Sequence, residues 1–294
     1  METLLDLWAA YGSTIAFAMV NALFALSTYA VLSTGVLSFT TVVFAAVGGF
    51  LAAQSVAHLG IGLWPAFALA GIGGAVAGSV VAAAFLKLDS HWMALASLAL
   101  VLITRVTVLN TPLLTGGVNG LVVPMSVPMG DLVILLALVA AVFWRLHRSW
   151  YGLAARAVRE DAAVASTMGI PPRGIQFTAF VISGAVGGIG GAALAFTLQF
   201  ISPETYFIGM AFTMIASTVL GGSFHWFGPI VGAAVFTALP VTMQSVLPAI
   251  EDVAKGVVLL VIMIFLPRGL VDPRAVGLRR AARRRVSAEE GTDV

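Results

Sequence analysis

About nine apolar stretches, each near the roughly 20 residues that a helix needs to cross a bilayer, follow one another along this chain, at 13–33, 37–56, 62–86, 92–109, 130–147, 176–200, 206–222, 227–248 and 254–268. Backbone amides and carbonyls find no water in lipid, so only helices or closed barrels cross it. Barrel strands would show about ten residues of alternating polarity, a pattern the sequence lacks. The expected fold is therefore all-α and polytopic, with about nine transmembrane helices (eight to ten). The stretch 37–56 leaves the count open, because Ser38, Thr40, Thr41, Gly48, Gly49 and Gln54 interrupt it and a broken helix would look the same.

Composition agrees: 60% of the 294 residues are hydrophobic and 10% charged, where a soluble domain carries about a quarter charged. No cysteine is present, which excludes a disulfide frame or a thiolate metal site. The opening Met1-Glu2-Thr3-Leu4-Leu5-Asp6-Leu7 lacks a basic n-region, so the first apolar stretch reads as a retained span rather than a removable signal.

Basic residues are kept on the cytoplasmic side, and twelve of the fifteen Lys and Arg fall in two segments. One holds Arg145, Arg148, Arg156, Arg159 and Arg173; the other runs from Arg268 to Arg285. Four spans separate the two segments and five precede the first. Both then lie inside, the N-terminus lies outside and the C-terminus is cytoplasmic. Residues 1–270 read as a single transmembrane domain with a cytoplasmic helix at about 152–170, and 271–294 as a flexible basic tail. Attraction to anionic lipid headgroups accounts for that tail, and nucleic acid is not needed to explain it.

Small residues let helices approach closely in lipid, and the spaced glycine pairs Gly74/Gly78, Gly184/Gly188 and Gly187/Gly191 predict tight seams. Residues 110–129, with Gly116, Gly117, Asn119 and Gly120, are too long and turn-rich for a minimal connector. Gly-Gly and Asn-Gly allow positive φ and expose amides, which fits a folded or re-entrant external loop as well as an ordinary solvent loop. Arg105 lies about one turn from the external end of its span. A charge at that depth marks function or snorkels to the interface, and both readings stand. His58, His91, His147 and His225 show no metal-ligand spacing, and no Gly-rich loop ends in Lys-Ser or Lys-Thr. The chain thus offers no metal site and no nucleotide cradle, and no enzyme constellation either.

The segment from Leu153 to Met168 is a charged helix inside a membrane protein. Arg156 and Glu160 are four residues apart and are expected to face each other. Alanines keep its surface small, and Gly169 followed by Pro171 and Pro172 ends it. Such a helix suits a groove on another protein; the competing reading is an amphipathic helix lying on the bilayer, for which its alanine and valine face is weak.

Several blocks together carry a family resemblance: Gly35-Val36-Leu37-Ser38-Phe39, Leu114-Thr115-Gly116-Gly117-Val118-Asn119-Gly120-Leu121, Tyr151 through Asp161 on to Met168-Gly169-Ile170, Phe200-Ile201-Ser202-Pro203-Glu204, Val219-Leu220-Gly221-Gly222-Ser223 with Phe227-Gly228-Pro229, and Phe265-Leu266-Pro267-Arg268-Gly269-Leu270. In this order they resemble the LivM-type permease subunits of branched-chain amino-acid ABC importers. The resemblance implies a multi-pass subunit of a bacterial inner membrane. Its partners would be a homologous permease, two cytoplasmic ABC ATPases that bind ATP and Mg, and an external substrate-binding protein. The segment 152–170 would be the coupling helix, contacting the ATPase through Gly152, Arg156, Arg159, Glu160, Asp161, Ala163, Gly169 and Ile170. Ser38, Thr40, Thr41, Arg105, Gly116, Gly117 and Asn119 would border the substrate path.

Two positions depart from the family pattern. An acidic residue often stands three before the arginine of the fourth span, where this chain has Leu102, and Gly-His usually follows Leu-Ser-Phe, where it has Thr40-Thr41. The cargo expected is a branched-chain amino acid or a related small polar solute, with urea, short amides and aromatic acids as alternatives. A secondary transporter driven by ions is a more distant one, since it would bury acidic residues in its spans.

Overall fold

The computed structural model describes residues 2–88 and 90–244. In chain order they form α1 (Glu2–Leu32), α2 (Thr41–Leu59), α3 (Leu63–Phe85), α4 (Ser90–Asn110), α5 (Pro112–Thr115), a 3-10 turn (Gly117–Asn119), β1 (Leu121–Val122), α6 (Met129–His147), α7 (Trp150–Glu160), α8 (Ala162–Thr167), α9 (Pro172–Leu198), β2 (Phe200–Ile201), α10 (Ile208–Gly221) and α11 (Gly228–Gln244). Six of the described helices are long and apolar enough to cross a membrane, within α1, α2, α3, α4, α6 and α9, and Ile208–Gly221 and Gly228–Ala238 are shorter apolar helices. Eight of the predicted stretches thus fall on helices. The stretch 254–268 and the basic tail lie outside the described residues.

Helix α9 is the hub, packing along α1, α2 and α3. The reason is steric: a Cβ at Gly74 would fall on the Gly184 carbonyl oxygen, one at Gly188 on that of Ala70, and one at Gly191 on that of Ala45. Gly187 approaches Ser27 and Phe44 of α1 and α2. The three predicted glycine pairs therefore all sit in the seams around α9, where only hydrogen side chains let the backbones touch. Phe24, Phe44, Phe180 and Phe196 fill the space between these seams and are wholly buried. By contrast α4 and α6 are peripheral, with Trp92, Leu95, Ile103, Val106, Val133, Ile134 and Leu138 exposed, as helices facing lipid tails would be.

The interrupted stretch 37–56 resolves in a specific way. Helix α2 is continuous but starts at Thr41 rather than 37, and the residues before it are a non-helical strap, 33–40, buried at Thr34, Val36, Ser38, Phe39 and Thr40. Non-helical backbone at membrane depth must find partners within the protein. Phe39 N–H donates to Ser97 Oγ of α4 at 3.0 Å, and Thr40 N–H to Ser38 Oγ at 3.3 Å.

The connections fall at two ends in alternation. One end collects the strap, the α7–α8 segment and the α10–α11 turn; the other collects the α4–α6 loop and the α9–α10 loop. At the second end β1 and β2 pair antiparallel, Leu121 with Ile201 and Val122 with Phe200.

Candidate functional site

The charged segment forms two helices rather than the single one expected from Leu153 to Met168. Asp161 is extended (φ −157°, ψ 111°) and caps α8, its Oδ1 accepting from Ala163 N–H at 2.8 Å and Val164 N–H at 3.0 Å. A carboxylate that bonds the first free amides stops one helix and starts the next. Gly169 takes positive φ (80°) and ends α8 as predicted.

The apolar face of this pair is used within the chain. Ala154, Ala155, Val158 and Ala165 are buried against Ile175 at the start of α9, with Tyr151 and Ile170 beside them. The outward side shows Leu153, Glu160, Asp161, Ala163, Val164 and Met168, with Leu153 62%, Val164 55% and Met168 74% exposed. Gly152 sits against the carbonyls of Leu146 and His147, where a Cβ would reach 2.6 Å. Burial and the nearby Tyr29 push the Tyr151 hydroxyl above its ordinary range.

Two of the arginines behave differently from expectation. Arg156 does not pair with Glu160: its Nε donates to Gly152 O at 3.1 Å and an Nη to His147 O at 3.0 Å, so it closes the α6–α7 corner. The four-residue spacing was right, but the His147 carbonyl at the end of α6, together with that of Gly152 one turn back in α7, holds the guanidinium in place of an exposed carboxylate. Arg159 points inward. Its Nη1 donates to Ser223 O at 2.6 Å and its Nη2 to Ser223 Oγ at 2.8 Å, and its guanidinium carbon lies 4.3 Å from the centre of the Phe224 ring. Partial burial lowers its pKa. On its other flank Gly35, at φ 83°, presses on the Arg159 backbone, a Cβ there meeting Arg159 Cα at 3.2 Å.

His147 and His225 end with ring centres 4.8 Å apart, a proximity that their separation in sequence hides. Burial, then the Arg156 charge, lowers the pKa of His225, and its Nδ1 accepts from Phe227 N–H at 3.3 Å.

The residues expected along a path divide into two groups. Ser38, Thr40 and Thr41 lie deep in the bundle, in a set of buried hydroxyls that includes Ser27, Thr28, Ser97 and Ser183. Ser27 Oγ donates to Ser183 O at 2.7 Å, Thr28 Oγ1 is 3.2 Å from Thr41 Oγ1, and Ser38 Oγ is 2.9 Å from Thr40 Oγ1. The additional hydroxyls were missed because Ser97 and Ser183 each stand alone in an apolar stretch and the Ser27-Thr28 pair lies far from both in sequence; only helix packing brings them together.

Arg105, Gly116, Gly117 and Asn119 stand at the opposite end. Gly116, Gly117 and Gly120 all have positive φ (74°, 57° and 69°), and Thr115 Oγ1 donates to Val108 O at 2.6 Å. The loop is folded and pinned to the bundle, while Asn119 stays exposed. Arg105 forms an ion pair with Glu204 from the α9–α10 loop and stacks at 4.3 Å over the Phe207 ring. Arg105 thus has an acidic partner, supplied by the α9–α10 loop rather than by its own helix. Between the two groups a cavity of about 390 Å³ is lined by Ala46, Val47, Phe50, Leu51 and Gln54 of α2, Thr104, Thr107 and Val108 of α4, and Leu114 and Thr115. Its walls are largely apolar with a few hydroxyl and amide groups.

Comparison with known proteins gives a consistent picture. The family described as branched-chain amino acid transport system / permease component matches residues 11–267. The chain is 29% identical over 263 residues to the high-affinity branched-chain amino acid transport system permease protein LivM of Escherichia coli (strain K12), covering 78% of this chain and 62% of that protein. Shorter similarities are 29% over 99 residues to the probable branched-chain amino acid transport permease protein LivH of Methanocaldococcus jannaschii (34% of this chain, 31% of that protein) and 30% over 124 residues to the guanosine ABC transporter permease protein NupQ of Bacillus subtilis (strain 168) (41% and 38%). The chain spans 62% of the length of its LivM relatives. No solved structure matches.

Proposed function

The chain belongs to the family of permease components of branched-chain amino acid transport systems, and from that premise we propose that it is one membrane subunit of an ATP-driven importer of branched-chain amino acids. The observation that carries this reading is the α7–α8 pair, whose apolar side is covered by the chain itself while Leu153, Glu160, Asp161, Val164 and Met168 are left exposed at one end of the bundle. A surface of mixed apolar and acidic residues on a rigid corner suits a cleft on a cytoplasmic ATPase. ATP and Mg belong to that partner, and the chain itself is not an enzyme. Gly152 and Arg156 fix the corner, Asp161 caps α8, and Glu160, Ala163, Gly169 and Ile170 line or border the docking surface.

In this reading the α7–α8 end is cytoplasmic and the end holding Arg105 and Gly116 is external. The described apolar helices, within α1, α2, α3, α4, α6, α9, α10 and α11, cross the inner membrane, while the ninth expected span at 254–268 and the basic segment 271–294 lie outside the described residues. A second, homologous permease completes the path, and an external binding protein delivers the solute above the α4–α6 loop. The cavity between α2 and α4 is within the roughly 300–1,000 Å³ of small-ligand sites, and its apolar walls favour an aliphatic side chain. Ser38, Thr40 and Thr41 lie further along the same route.

The test is uptake by proteoliposomes holding this chain with its partner permease, ATPases and binding protein. ATP inside should drive accumulation of labelled leucine, isoleucine or valine, with urea, acetamide, phenylalanine and guanosine as competitors. Accumulation by this chain alone under an ion gradient would overturn the reading, and selective competition by one of the other solutes would move the cargo to that class.

A further inference from the structure

An Arg on a docking helix is expected to point at the partner, yet Arg159 is turned into its own chain. It is half-buried, whereas Arg156 and Glu160 on the same helix are exposed. Its fork spans the Ser223 carbonyl and hydroxyl just past the end of α10, and its backbone is in close contact with Gly35 of the strap. From Gly35 the strap leads inward to Phe39, whose ring lies 5.6 Å from that of Phe212 in the body of α10. Arg159 is therefore connected to α10 twice, directly just past its end through Ser223 and indirectly near its start through the strap and Phe39. The direct covalent links of the α7–α8 pair run to α6 and α9, and α10 follows only after the whole length of α9 and the loop at the opposite end, so Arg159 is a far shorter route from the pair to α10.

Resting on the importer reading above, we propose that Arg159 is a positioning residue for transport: it ties the coupling segment to the α10–α11 turn and to the strap, so that displacement of α7 is passed to α10. The fork makes this a directional attachment, because two parallel N–H donors fix orientation as well as distance. Gly35 belongs to the same device, since any Cβ there would wedge the strap away from the arginine backbone.

The experiment uses the complete importer complex and reads solute imported per ATP hydrolysed. Arg159→Ala is expected to lower that ratio roughly tenfold or more, the scale of losing charge-assisted hydrogen bonds, with the complex still assembled. Arg159→Lys and Ser223→Ala, each losing part of the fork, should give smaller decreases, and they carry the test if the alanine variant fails to assemble. An unchanged ratio in these variants, with uptake and hydrolysis falling together, would mean a stabilising role only and overturn the proposal. Absence of ATP-driven uptake by the unmodified complex would instead strike the importer reading itself.

A second measurement is independent of turnover. The chain has no cysteine, so spin labels at Leu153→Cys and Phe227→Cys form the one labelled pair on this subunit. Their distance should stay constant when ATP binds the unmodified complex and change in Arg159→Ala; a distance that changes in both would overturn the tie.

Discussion

Gly74 of α3 and Gly184 of α9 cross so closely that a Cβ on either would strike the carbonyl oxygen of the other. Backbone on both sides leaves nothing flexible to move aside. Gly74→Val or Gly184→Val should therefore destabilise the bundle by at least the ~1–3 kcal/mol typical of overpacking, seen as a lower Tm in detergent. Gly130→Ala in α6, with open space around it, should leave Tm within experimental scatter. Equal effects at the crossing and at Gly130 would mean that the seam yields.

Glu160 separates docking from folding. It is exposed and takes part in no side-chain hydrogen bond among the described residues, so Glu160→Lys should change stability by no more than about 0.5 kcal/mol while placing a positive charge on the proposed docking face. The expected result is an intact Tm with ATP-driven uptake lost. Arg156→Glu is a different perturbation: it removes the bonds to the carbonyls of Gly152 and His147 that close the α6–α7 corner and should lower Tm as well. Normal uptake with Glu160→Lys would take the ATPase contact elsewhere.

How much the sequence told depends on whether a feature is local. Span positions, the Gly169 stop and the positive-φ glycines at 116, 117 and 120 were legible because hydropathy and backbone freedom act within a few residues. The tight seams at Gly74/Gly184 were legible as a tendency, though not which helix would be the hub. Partners across the chain were not: Glu204 for Arg105, Ser223 for Arg159 and His225 for His147 depend on packing between distant segments. The expected pairing of Arg156 with Glu160 failed for a related reason, since the spacing rule treats the helix as isolated and ignores the corner made with α6. The strap at 33–40 was visible only as an interrupted stretch, because the hydroxyl of Ser97 that satisfies it lies two helices away.

The Arg105–Glu204 pair should matter for the arrangement of the α4–α6 and α9–α10 loops more than for stability. Both side chains are substantially exposed, 35% and 64%, where an ion pair contributes about 0–1 kcal/mol. A double-mutant cycle of Arg105→Gln and Glu204→Gln should give a coupling energy below ~1 kcal/mol that shrinks with added salt. Arg105→Gln should cost more than Glu204→Gln, because it also removes the cation stacked over Phe207. A large, salt-independent coupling would show that the pair is shielded from water in the assembled protein.

Acid should loosen the end where α6, α7 and the α10–α11 turn meet. In the folded chain burial and the Arg156 charge hold the His225 pKa below its ordinary value, and the neutral ring accepts the Phe227 amide. Arg156 and His147 are the groups that face it, so a proton on the ring meets a cation and loses a hydrogen bond at once. The unfolded chain titrates near 6.5 and binds the proton more readily. The sign follows: His225 contributes stability that is fully present above about pH 6.5 and is lost as pH falls below it. Tm in detergent, followed from pH 8 to pH 5, should decline on the acid side in the unmodified chain. In His225→Gln, which cannot titrate, the decline should be visibly shallower, and an identical decline in both would assign the acid sensitivity to other groups.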